Sequence, residues 1–204
     1  MRESTQSNKR RGVSIEDQLS PKFFGDTREL CRRQSPAADG ILVVACSDFP
    51  GDPFCLFGNP DNVYVLQNPG NLVEDAHDDR LEDGNQIELI LKLWSISQIV
   101  VCGHVPCRYV VDFLTRQPSC DRLDSDVTRM AEGFAVDANQ RSRPRVEENV
   151  AKRHLLSQLV KLVNYPSVRV ELDAGRLRLH GVLHCLNGLC LYDAQLRRFL
   201  RFRD

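Results

Sequence analysis

Long apolar runs are missing from this sequence. None approaches the roughly 20 residues that a membrane-spanning helix needs, so a membrane partner is not expected. Met1–Val13 is polar and basic, without the apolar segment of a secretory signal. A secreted, disulfide-stapled scaffold is therefore not expected either, although the chain has eight cysteines. Net charge is almost absent, at -1, but it is unevenly spread. Residues 41–140 hold 6 Lys+Arg against 16 Asp+Glu, and residues 141–204 hold 13 against 6. A basic tail can meet nucleic acid. This one lacks interleaved aromatics and any RNA-binding signature, so no nucleic-acid partner is expected. Internal repeats are also absent.

What is present suits one domain. The chain has 204 residues, 42% of them hydrophobic, enough for a sizeable core. Residues 1–14 read as a disordered tail and 15–204 as a single domain. The cysteines read as reduced, which fits a cytoplasmic location. Cys102, Cys185 and Cys190 lie in apolar stretches and read as small core residues.

The pattern predicts an α/β fold. ILVVA (41–45), VYVL (63–66) and QIVVC (98–102) are short apolar, β-branched runs of the kind buried in parallel sheets. Helical spacing is found over 16–34, 80–94, 106–115 and 146–163, with Pro106 read as a first helical residue. RLRLHGVLH (176–184) and LCLY (189–192) flank the turn signal Asn187-Gly188. The expected architecture is a central, mostly parallel sheet flanked by helices, with an antiparallel C-terminal edge hairpin. The polar stretch 116–144 has few anchors.

Two short clusters carry the chemistry. Cys46-Ser47-Asp48 directly follows the first strand, and His104-Val105-Pro106-Cys107 directly follows the third. In open parallel sheets, ligands bind beyond the carboxyl ends of the strands, so the clusters can converge. Two thiolates and an imidazole suit tetrahedral zinc, one ion per chain. Cys107 would ligate from the first turn of a helix, where the N-terminus favours a thiolate. Three protein ligands leave a fourth position for water or for Asp48, as in catalytic zinc sites.

On these residues the chain resembles the β-class carbonic anhydrases. ACSD (45–48) is similar to the family's Cys-x-Asp motif and VVCGHVPC (100–107) to its Gly-His-x-x-Cys motif. VYVLQNPGN (63–71), EENVAKRHLLSQLVKLVNYPSVR (147–169) and AGRLRLHGVLHCLNGLCLYD (174–193) are similar to three further family segments. The resemblance covers about residues 16–193. It implies reversible hydration of CO2 to bicarbonate. Zinc would be held by Cys46, His104 and Cys107 and would lower the pKa of a bound water to roughly 7. Asp48 would orient the resulting hydroxide. The resemblance also implies a homodimer or homotetramer, which would cover the sheet edge near Leu189–Tyr192.

The chain departs from the family pattern around the metal. Pro50 stands where the family places an Arg that pairs with the Asp, so Asp48 is expected to turn to the zinc as a fourth ligand. Gln67 replaces an Arg, and Arg108-Tyr109 replaces a Gly-Gly pair. Arg108 is the one substitution able to compensate, by swinging toward Asp48. Phe49, Gln67, Gly70 and Arg108 are assigned to the substrate pocket, with Asp52, Cys55 and Phe57 near its mouth. His77 reads as a solvated loop residue, His180 as structural and His154 as exposed. Two alternatives stay open. One is a catalytically impaired zinc-binding relative acting as an assembly subunit, and the other is a hydrolase of COS or CS2.

Overall fold

The computed structural model describes residues 14–32, 40–53, 56, 62–74, 76, 86–115 and 143–202. The tail 1–13, Cys55, Phe57, His77 and the stretch 116–142 lie outside the described residues. The α-helices of the described residues are α1 (Ile15–Gln18), α2 (Thr27–Arg32), α3 (Gln86–Leu93), α4 (Arg108–Thr115), α5 (Arg143–Asn164) and α6 (Pro166–Asp173). The strands are β1 (Gly40–Cys46), β2 (Val63–Asn68), β3 (Ile96–His104), β4 (Arg178–Cys185), β5 (Gly188–Asp193) and β6 (Arg198–Arg201). They form one sheet in the order β2-β1-β3-β4-β5-β6. The first three pairings are parallel and the last two antiparallel, so the expected fold class is found.

Both faces of β1 and β3 are covered, which is why their sequences are continuous apolar runs. Leu42, Val44, Ile99 and Val101 point into the larger core, which includes Leu155, Leu159 and Leu162 of α5. Ile41, Val43, Val100 and Cys102 point into a smaller core on the opposite face. Helix α5 approaches β4 closely at Gly181, where an added Cβ would lie 3.0 Å from Leu155 Cδ2.

Four expectations need correction. First, 176–184 is not an edge segment: β4 pairs in parallel with β3, from Gln98 opposite Arg178 to His104 opposite His184. Second, the edge at Leu189–Tyr192 is covered by the chain itself. Strand β6 pairs with β5, Tyr192 opposite Phe199. Only Phe199 and Leu200 gave β6 an apolar signal, too little to register. Third, the long helix expected over 146–163 starts three residues earlier, at Arg143, and ends at Asn164. Tyr165 is then extended, at φ -70° and ψ 125°, and Pro166 opens a new helix, as a residue without an N–H does well. Fourth, α4 begins at Arg108, two residues after Pro106.

Leu159 is fully buried. Leu159→Ala should cost about 2–5 kcal/mol by urea unfolding, as core truncations to Ala do. Leu93→Ala, at a position 59% exposed, should stay within about 0.5 kcal/mol.

Candidate metal centre

Strand pairing sets the site. Ala45 of β1 stands opposite Cys102 of β3, so Cys46 and His104 close the two strands near one level. Cys46 ends the row Leu42, Val44, Cys46 that faces the larger core. His104 ends the row on the other face, where its ring meets the edge of Phe49, centroids 5.9 Å apart. Cys107 enters just ahead of α4. Its sulfur faces the backbone amides of Tyr109 and Val110, the helix's first turn.

The ligand atoms of Cys46, His104 and Cys107 all lie within 4.8 Å of one another, and all three residues are buried. The two sulfurs are 3.9 Å apart. Two thiolates on a tetrahedral zinc, each at 2.3 Å, stand about 3.8 Å apart. His104 Nε2 is buried without a hydrogen-bond partner, as expected of a nitrogen that a metal completes. The donor set therefore fits zinc. Cys46 is prepared for the thiolate form, because its sulfur accepts N–H groups from Gly70 at 3.2 Å and Asp48 at 3.4 Å. A hydrogen bond from Cys107, aided by these two amides and opposed by burial, draws the Cys46 thiol down to about 4. The same sulfur–sulfur pairing, with burial, pushes Cys107 up.

Asp48 lies outside this three-atom group. Its Oδ2 accepts the Arg108 backbone N–H at 3.1 Å, and Arg108 Nε stands 3.8 Å from Oδ1. The Arg108 side chain is 90% exposed, so the main-chain bond is the firmer of the two. Phe49 is buried and also meets the His184 ring edge-on at 5.9 Å. Gln67 is exposed and reaches back to the Cys46 carbonyl, at 3.5 Å. Gly70 is buried beside Cys46, and Asp52 is exposed.

A sequence model of the family described as carbonic anhydrase matches residues 41–188. The chain belongs to the β-carbonic anhydrase family. It is 27% identical to carbonic anhydrase 1 of Escherichia coli O157:H7, over 92% of this chain and 88% of that one. It is 26% identical to a carbonic anhydrase of Pseudomonas aeruginosa, over 87% and 82% of the two chains. Among solved structures it is similar to the β-carbonic anhydrase CcaA, with a TM-score of 0.65 and 25% identity over 81% and 78% of the chains. A tetrameric β-carbonic anhydrase of Sordaria macrospora shares the fold, with a TM-score of 0.60 and 21% identity over 83% of each chain. Among the described residues no helix is long and apolar enough to cross a membrane.

Within the β-carbonic anhydrase frame, three residues near the metal centre escaped the sequence reading. His184 was not singled out; it is the cross-strand neighbour of His104. Tyr109 was noted only as a replacement for Gly. Its ring packs on Gly70, where an added Cβ would lie 2.7 Å from the ring. His154, expected to be exposed, is only 4% exposed, and its Nε2 lies 2.6 Å from the Gly70 carbonyl. The signal was available: 150, 154 and 158 fall on one helix face, and Val150 and Gln158 are buried too. His180 is structural as expected, bonded to Thr27 and Gln98.

Gly70 has φ +81°, which a residue with a Cβ rarely adopts. Gly70→Ala should cost roughly 1–3 kcal/mol for the backbone alone, read by urea unfolding. Adding Tyr109→Gly should recover only the steric part of the loss.

Proposed function

We propose that this chain catalyses the reversible hydration of CO2 to bicarbonate, with zinc held by Cys46, His104 and Cys107. One observation carries the proposal: two cysteine sulfurs and an unpartnered imidazole nitrogen converge, buried, at the carboxyl end of a parallel sheet. Zinc held there supplies a Lewis acid that brings the pKa of a water molecule toward about 7. The rest of the work falls to the chain. Asp48 acts as a hydrogen-bond acceptor that orients the attacking oxygen. The Arg108 amide and guanidinium hold its carboxylate in place, taking over from the Arg that Pro50 replaces. Phe49 offers an apolar wall beside His104, suited to a small nonpolar substrate. Asp48 thus serves as a positioned acceptor and is the candidate fourth ligand only when Arg108 releases it.

The family supports a homodimer or homotetramer, and a neighbour of the same fold is tetrameric. The free thiols of Cys46, Cys102, Cys107, Cys185 and Cys190 suit a reducing, cytoplasmic setting.

Stopped-flow CO2 hydration on zinc-loaded protein tests the proposal. The parent should exceed Cys46→Ser at least about a hundredfold, on the scale of a lost catalytic metal site. Arg108→Pro removes the amide donor, and Arg108→Ala only the exposed guanidinium. The alanine variant should lose less than about tenfold and the proline variant more. Parent and Cys46→Ser rates that coincide would indicate a zinc-binding assembly subunit. Sulfide release from COS with weak CO2 turnover would indicate the hydrolase.

A further inference from the structure

We propose that His154 is a positioning residue for the metal centre, acting through Gly70 on Cys46. The inference rests on Cys46 being a metal ligand, and it extends to a residue on a helix that supplies no ligand. Three observations build the connection. The Gly70 N–H donates to the Cys46 sulfur at 3.2 Å. The Gly70 carbonyl accepts from His154 Nε2 at 2.6 Å. A carbonyl only accepts, so Nε2 carries the proton. Finally, the Tyr109 ring stands against Gly70 on one side and 5.7 Å from the His154 ring on the other.

The same helix face fixes the chain beyond Gly70. Gln158 Oε1 accepts the Val73 N–H at 2.8 Å, and Tyr165, just past the helix, donates to the Glu74 carbonyl at 2.7 Å. His154 is the member of this set nearest the metal ligands. It holds Gly70, whose amide donates to the Cys46 sulfur. Gly70 carries φ +81°, so its amide direction depends on what pins the turn. A hydrogen bond to a ligand sulfur tunes its donor strength and its orientation toward the metal.

The test compares His154→Leu, His154→Gln and His154→Asn with the parent. Zinc affinity is read by competition with a chromophoric chelator. Co(II) loading gives a sulfur-to-cobalt charge-transfer band that reports on the thiolates. The leucine variant should bind zinc roughly tenfold more weakly, the low end of outer-shell effects, with a shifted band. The glutamine variant, whose amide nitrogen reaches the Nε2 position, should return most of both. The asparagine variant, one carbon shorter, should not. Leucine and parent proteins with equal affinity and the same band would overturn the proposal. If the leucine variant does not fold, equal affinities for the glutamine and asparagine variants would overturn it. A parent chain that binds no zinc would instead overturn the metal reading, and this inference with it.

Discussion

Two sulfurs held 3.9 Å apart in a buried place are the feature on which the rest of the structure turns. Two thiolates at that distance repel by about 4 kcal/mol at an effective dielectric of 20. Left to themselves the pair keeps a shared proton, which is why Cys46 is drawn down to about 4 while Cys107 is pushed up. A dication between the sulfurs replaces that proton and turns repulsion into attraction. The fold supplies this geometry from three elements at once. The parallel pairing of β1 with β3 brings Cys46 to His104, and the start of α4 delivers Cys107 with amides facing its sulfur.

Around the two sulfurs, Arg108, Tyr109 and His154 each contact a neighbouring loop. Arg108 supplies Asp48 with a main-chain donor and a nearby guanidinium. Tyr109 fills the space above Gly70. Beneath the same loop His154, Gln158 and Tyr165 bind successive backbone groups from Gly70 to Glu74. A loop that contacts a ligand sulfur is thereby attached to the core helix of the molecule.

Much of this was legible in the sequence, for identifiable reasons. The β1 and β3 runs are buried on both faces, and continuous β-branched apolar residues have few other uses. The clustering of Cys46, His104 and Cys107 was legible because the first two end those strands and the third comes three residues later. The fate of Asp48 was not, because its firmest partner is a backbone amide 60 residues away, and every residue has one. His154 was misread because its neighbours Lys152 and Arg153 are charged, and the carbonyl that its buried imidazole meets belongs to a distant loop. Strand β6 was missed because its two half-buried apolar residues, Phe199 and Leu200, lie between arginines.

The central claim is that Cys46, His104 and Cys107 together hold a zinc ion. X-ray absorption at the zinc edge, on protein purified at neutral pH without chelator, tests it most directly. The account predicts two sulfur scatterers at about 2.3 Å and two nitrogen or oxygen scatterers at about 2.0–2.1 Å. A zinc shell without sulfur, or with four sulfurs, would contradict it.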